Sequence, residues 1–373
     1  MEIAQTRMET PLIDEHRRAN ARIEEFAGRL LPSSYSGFEL EYHAARESVA
    51  LFDTNWRAIS TLSGRDRVKY LHAISSNNIK DLGEGRGVLA LLLNPQGHIL
   101  AELEVYALKD KLLVLSHASM RERTFSTLKK YILGSQVQIE DLTGQFGSLA
   151  FEGPSAPTLF AEITALDLIG FPELAIAEVS IDSAPCYAIR RSHFGELGAE
   201  IVAPREHLAH LWKSLVAKVR VQHGLPAGMR ALNALRIEAG IPWFPLDFND
   251  SVIPHEAALE NTHISFSKGC YTGQEIVERV RSRGHVNRKR VELKFSVAEP
   301  PTTGTKLRAA GAEAGYVTSS AFSPAAGTAI GMGYLRREHN TPGSTVEYDA
   351  GVAEVAGSKN SERASCLKGS ESA

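Results

Sequence analysis

Apolar residues fall in short runs and alternations that predict a mixed chain of strands and helices. Val88 to Leu93 is nearly continuous in apolar residues, as a buried strand would be, and His98 to Tyr106 alternates. Asn94-Pro95-Gln96-Gly97 between them carries turn chemistry, so the two runs predict a hairpin. Upstream, Val49 to Asp53 and Ala58 to Leu62 read as short elements and Val68 to Ile74 as a helix. Downstream, Leu112 to Ser116 reads as a strand and Arg121 to Leu133 as a helix. A second unit with similar grammar opens near Val137 to Asp141. It continues with strand Ser148 to Glu152, a Gly153-Pro154 stop, a helix and strand Ala188 to Ser192. A long helix follows from Arg205 to Val219, with Leu208, Leu211, Trp212 and Leu215 on one face.

Past Arg290 the pattern changes to short alternating segments broken by Gly and Pro: Val291 to Phe295, Thr305 to Arg308, Ala314 to Ser319, Ala329 to Leu335 and Val346 to Glu354. These predict a small antiparallel barrel or sandwich. At the other end, residues 1 to 35 read as a mobile arm leading into a helix, with Arg22 to Leu30 as its amphipathic part. The expected boundaries are 1–35 for the arm and helix, 36–136 and 137–288 for two α+β domains, 289–356 for the barrel and 357–373 for a disordered tail. The tail is rich in Ser, Lys and Glu.

A chain of 373 residues is too long for one ordinary core, which agrees with two or three domains. A formal net charge of −3 argues against a protein coated in nucleic acid or held on an anionic membrane. No window approaches the ~18 apolar residues of a membrane span, and the N-terminus lacks a signal-like apolar stretch, so a cytoplasmic location is expected. Three widely spaced cysteines, Cys186, Cys270 and Cys366, make a disulfide framework or a self-contained zinc site an unsuitable reading. No metal site is expected. Cys186 lies in a strand-like run and reads as a small core residue.

Cys270 differs from the other two. It sits in Lys268-Gly269-Cys270-Tyr271-Thr272-Gly273-Gln274-Glu275, between glycines, beside a lysine and just ahead of a helix. An ammonium and a helix N-terminus both favour a thiolate. Cys270 and Lys268 are therefore the candidate catalytic pair. As a nucleophile Cys270 would want a base, for which His255, His263 and His285 are near in sequence. As an iron–sulfur ligand it would need thiolates from elsewhere. An inert turn cysteine is the third reading.

Other constellations carry weaker signals. Phe194-Gly195-Glu196-Leu197-Gly198-Ala199-Glu200 sets two carboxylates around glycines. They could accept a ligand's paired N–H groups or be solvated in a β-turn. Arg236, near the end of a helix closed by Gly240 and Pro242, could clamp a carboxylate or pair with a nearby acid. Arg279, Arg281, Arg283, Arg288, Lys289 and Arg290 form a basic run that could face an acidic tail, a phosphate backbone or solvent. No aromatics interleave with it, so direct nucleic-acid binding is not expected.

The segment Lys268 to Glu275 resembles the signature of the YgfZ-type folate-binding proteins, which are similar to the aminomethyltransferase (T-protein) of the glycine cleavage system. Glu41 to Arg46, Leu51-Phe52-Asp53, Leu93 to Gly97, Phe194 to Gly198, Leu235 to Gly240 and Gly315 to Ser319 also look like motifs of this superfamily. The resemblance implies an α+β fold of three domains arranged as a ring, two mixed α/β domains plus a C-terminal antiparallel β-barrel. It implies tetrahydrofolate or a derivative as ligand, with Glu200, or failing it Glu196, on the pterin and with Arg236, Glu102 and Tyr271 as further contacts. It also implies partners that are iron–sulfur client or carrier proteins, including a tRNA-modifying enzyme, and a transient iron–sulfur cluster shared with one of them. The transferases carry an Asp-Asp pair after the hairpin turn, where this chain has Ala101 and Glu102. The longer side chain of Glu102 displaces its carboxylate, which weighs against aminomethyl transfer. Folate-dependent aminomethyl transfer through Glu102 is nevertheless the alternative function, and whether the chain is an enzyme is open.

Overall fold

The computed structural model describes residues 8–132 and 134–357. The expected disordered tail and Cys366 therefore lie almost wholly or wholly outside the described residues. The chain divides into two compact units. One comprises residues 1–70, 79–88 and 104–232, and the other 71–78, 89–103 and 233–373.

In the first unit a six-stranded sheet has the order Ile176–Ile181, Ala184–Arg190, Gly198–Pro204, Phe146–Glu152, Ala50–Asp53, Leu225–Pro226. Its neighbours are antiparallel except the last pair. Helices Ala156–Thr164 and Arg205–Val221 contribute their apolar stripes to its core. Leu208, Leu211, Trp212 and Leu215 are all buried there, as their helical spacing predicted. Cys186 is part of the same core, and burial pushes its thiol up to about 11.

The N-terminal expectation is corrected. Arg22–Phe26 and Arg29–Ser34 are paired strands, with Met8–Glu9 added alongside, and the helix of this region is Ile13–Arg18. Ala27 and Gly28 both take positive φ, 47° and 85°, the geometry of a tight hairpin turn. The helical spacing of Arg22 to Leu30 loses to that pairing. Nor is the described part of this segment a loose arm. Leu12 and Leu31 are buried, and His16 Nε2 lies 2.7 Å from the buried Asp53 carboxylate.

A five-stranded sheet has the order Gly87–Leu93, Ile99–Ala107, Lys111–His117, Arg57–Ser63, Gln138–Asp141. Its first two strands are the predicted hairpin. Asn94 Oδ1 accepts from the His98 amide at 2.9 Å, and Gly97 takes φ +77°.

In the second unit, strands Arg288–Phe295, Thr328–Arg336, Ala312–Ser323, Lys306–Ala309, Thr345–Tyr348 and Gly351–Val355 close a barrel. All its pairs are antiparallel. Alternate residues such as Leu293, Phe295, Val317, Val346 and Ala353 fill it. The run read as one strand from Val346 to Glu354 is two strands around a turn. The mixed α/β architecture with a C-terminal antiparallel barrel is as expected. No described helix is long and apolar enough to cross a membrane.

Candidate functional site

Glu196 and Glu200 lie in the first unit, while Glu102, Arg236, Lys268, Cys270 and Tyr271 lie in the second.

Glu200 does not sit in a solvated turn. It occupies the middle of strand Gly198–Pro204, fully buried. Strand residue Arg57 meets it bidentately, Nε to Oε1 at 3.2 Å and Nη2 to Oε2 at 3.0 Å. The third guanidinium nitrogen of Arg57 reaches Glu104 at 3.0 Å. Glu104 also accepts from Arg191 Nε at 3.1 Å and from the Tyr106 hydroxyl at 2.8 Å. Two buried carboxylates are thus bracketed by the guanidiniums of Arg57 and the buried Arg191. Burial raises the carboxyl of Glu200, but the charge of Arg57 outweighs it and holds Glu200 down to about 2. Glu104 is held lower still, against the same burial, by Arg191 and Arg57. His193 stands 3.5 Å from Glu200, too far for a hydrogen bond, and burial keeps its imidazole neutral. Each oxygen of Glu200 retains a lone pair beyond the one that Arg57 uses.

Glu196 is on the loop before that strand, 3.4 Å from Arg46. The loop is gathered by Glu152, whose buried carboxylate accepts from Ser192 Oγ and from the amides of His193, Phe194 and Glu196. Burial nevertheless pushes Glu152 up to about 7. Sequence reasoning missed Arg57, Glu104, Glu152 and Arg191. Glu104 had a signal, since a charged residue inside Leu103 to Ala107 breaks an apolar strand.

In the second unit Cys270 is exposed on the loop leading into helix Gln274–Arg283. Its neighbours turn inward. Lys268 is buried, its ammonium donating to the carbonyls of His72 and Ser75 at the end of helix Arg67–Ile74. That is a helix C-terminus capped by a cation. Burial lowers the Lys268 amine to about 8, and its Nζ lies 4.9 Å from the centre of the Tyr271 ring. Tyr271 is buried too, with a hydroxyl that has no hydrogen-bond partner among the described residues. Lys268 and Tyr271 therefore anchor the loop on either side of the thiol. Lys268 donates to carbonyls and to no sulfur in the hydrogen bonds of the described residues.

The two glycines of the motif are unlike. Gly273 has φ +83°, and a Cβ there would stand 2.6 Å from the Asn94 carbonyl oxygen and 3.2 Å from Gly97 Cα. The motif loop thus packs against the hairpin turn through backbone, which explains a glycine at both positions. Gly269 has open space around it.

Of the expected bases of Cys270, one is engaged elsewhere by hydrogen bonds. His263 Nε2 lies 3.0 Å from Glu102 Oε1, and His255 packs near Phe266 with a lowered pKa caused by burial. His285 is exposed and has no hydrogen bond among the described residues. Ala101 is buried, whereas the side chain of Glu102 retains 22 % exposure.

Among the described residues Arg236 is the largest fully buried side chain. Its Nη1 pairs with Asp247 at 2.5 Å, its Nε donates to Asn233, and its guanidinium lies 4.6 Å from the Trp243 ring centre. The nearby acid takes Nη1 of this guanidinium, while Nη2 has no hydrogen-bond partner among the described residues. The basic run is largely neutralised within the unit: Arg279 by Glu275, Arg281 by Glu278, Arg288 by Glu256 and Lys289 by Glu260. Arg290 is buried and donates to the Ala257 carbonyl. Among the described residues no cluster of His, Cys, Asp or Glu could hold a metal ion.

Comparison with known proteins agrees with this geometry. The GCVT N-terminal domain matches residues 12–268, and the glycine cleavage T-protein C-terminal barrel domain matches 288–357. Most of the motif around Cys270 falls between the two matches. An aminomethyltransferase of Desulfitobacterium hafniense is 27% identical over 91% of this chain and 92% of its own length. One from Rubrobacter xylanophilus is 29% identical over 88% of this chain and 87% of its own. The crystal structure of glycine cleavage system aminomethyltransferase T from Bartonella henselae superposes with a TM-score of 0.86 at 25% identity, covering 94% of this chain and 97% of that one. From its two matched domains and its architecture, the chain belongs to the glycine cleavage T-protein family.

Proposed function

We propose that this chain binds tetrahydrofolate or a derivative through Glu200, with Glu196 on the adjoining loop. The observation that carries the reading is the buried, ionised Glu200, fixed by Arg57 and keeping lone pairs for a ligand's adjacent N–H groups. Membership of the T-protein family supports it. Calorimetric titration of tetrahydrofolate into wild type, Glu200→Gln and Cys270→Ala tests it, with the thermal melt of each variant as a check on folding. Binding is expected in wild type and Cys270→Ala and lost in folded Glu200→Gln. No binding to wild type would overturn it.

Two accounts of what the bound folate serves remain distinct. Aminomethyl transfer is favoured by the names of the relatives and by Glu102, an exposed-edge carboxylate following the hairpin turn. Support of iron–sulfur enzymes, in the manner of YgfZ-type proteins and through partner proteins and a shared cluster, is favoured by Cys270, an exposed thiol between two buried anchors. One pair of variants separates them. Transfer requires release of methylene-tetrahydrofolate from an aminomethyl-lipoyl carrier, lost in Glu102→Ala and kept in Cys270→Ala. The iron–sulfur account requires that Cys270→Ala fail to restore client enzyme activity in a deletion strain. Background turnover by wild type removes the first account, and full restoration by Cys270→Ala removes the second.

A further inference from the structure

We infer that Arg29, Arg121 and Arg205 form a site in the first unit for an oxyanion, a phosphate or carboxylate group of a small molecule. The inference is independent of the folate reading and uses neither Glu200 nor Cys270.

Arg29 opens strand Arg29–Ser34, directly after the Ala27-Gly28 turn, and is 7% exposed. Its one hydrogen bond among the described residues runs from Nη1 to the Glu9 carbonyl at 3.4 Å, longer than a normal N–H···O bond. Its buried Nε has no partner among them. The acids nearby are spent elsewhere. Glu9 turns its carboxylate to Arg17 at 2.6 Å. The charge of Asp53 reaches Arg29, but that carboxylate already holds His16 at 2.7 Å, the Thr10 hydroxyl at 2.5 Å and both nitrogens of Asn55. Buried guanidiniums elsewhere in the chain are met. Arg57, Arg191 and Arg236 each hold a carboxylate, and Arg290 donates through Nε to a carbonyl at 3.0 Å. Arg29 is a buried charge still lacking its counter-charge.

Its surroundings add positive charge. Burial lowers the Arg29 pKa, Asp53 opposes that shift, and Arg121 and Arg205 lower it further. These two open helices Arg121–Lys130 and Arg205–Val221, where the helix dipole is itself positive. Loop 141–146 ties them together: Arg121 Nε meets Asp141 at 2.6 Å, and the Arg205 amide donates to the Gln145 carbonyl at 2.7 Å. The Arg205 side chain is exposed and has no ion pair among the described residues. Glu122 and Glu206, next along each helix, are exposed and do not perturb Arg29. The hairpin tip borders this ground, since a Cβ on Gly28 would stand 3.8 Å from Ser119 Cβ. His117 feels the same field, held down to about 3 by burial and then by Arg57 and Arg29. An oxyanion supplies paired acceptors for the Arg29 fork and the negative charge that these three guanidiniums lack.

Thermal melts of the full chain against inorganic phosphate and against glutarate, at ionic strength fixed with potassium chloride, test this. The wild-type Tm is expected to climb with anion concentration, as for any ligand that binds only the folded state. Arg29→Met is expected to weaken binding about tenfold or more, the worth of one hydrogen bond to a charged group. Without anion, Arg29→Met is expected to melt at or above wild type, because no acid loses a partner; a guanidinium that served only the fold would lower it. Arg205→Gln, at an exposed position, is expected to fold normally and to respond more weakly than wild type. A response to phosphate alone assigns a phosphate ligand, and a response to glutarate assigns a carboxylate. A wild-type Tm that neither anion moves overturns the inference, as does an undiminished response in Arg29→Met. If Arg29→Met does not fold, an undiminished response in Arg205→Gln overturns it.

Discussion

Arg57→Met is expected to destabilise the first unit by about 3–5 kcal/mol, the cost of leaving buried charge without its partner. Among the described residues Arg57 is the one cation that touches both Glu104 and Glu200, and the methionine keeps its apolar stem while removing the fork. Urea unfolding at pH 7 measures the loss as a lower midpoint. The sign of its pH dependence follows from the direction of the shift. Glu200 is depressed from 4.5 to about 2 in the fold, so its contribution is present above pH 4.5 and lost as pH falls toward 2. The gap between wild type and Arg57→Met should therefore narrow across that window. A gap that stays small at pH 7 would mean that the two carboxylates are satisfied without Arg57. Folate binding should fail with it, because Glu200 loses the group that orients it.

Arg236→Met is the second large effect, again about 3–5 kcal/mol, and it falls in the other unit. Asp247 keeps the hydroxyls of Thr318 and Ser319 and the Trp243 amide, but loses the only guanidinium that contacts it among the described residues. Burial lowers the Arg236 pKa while Asp247 opposes that shift, so the pair is a mutual condition for either charge to stay inside. Asp247→Asn should cost less than Arg236→Met, since the amide oxygen still accepts from the hydroxyls. Denaturant unfolding of both variants decides it. A near-zero loss for Arg236→Met would return Arg236 to the role of a ligand clamp.

The elements with strong local signals were legible from sequence. The hairpin around Asn94 to Gly97, the helix from Arg205 and the barrel strands after Arg288 follow from periodicity and turn chemistry, which are local properties. Arg22 to Leu30 was misread because its spacing suits a helix as well as a strand. Only the partner strand and the Ala27-Gly28 turn choose between them.

The candidate site divides along the same line. The sequence by itself determined that Cys270 is set apart from the other cysteines and that Ala101 cannot act as an acid, and it left Glu196, Glu200 and Arg236 able to meet a ligand's charge, a neighbour's charge or solvent. It could not say which charge. Lys268 reads as an activator of its neighbour, yet it reaches carbonyls at positions 72 and 75, almost two hundred residues away. Arg236 was balanced between a ligand and an acid until Asp247 closed on it. His263 read as a base for a cysteine seven positions on, but its Nε2 meets Glu102 across 161 residues. Sequence specifies the donors and acceptors a residue owns. Which of them are spent depends on long-range pairing in low dielectric, where an unmet charge costs several kcal/mol and the fold is selected to meet it.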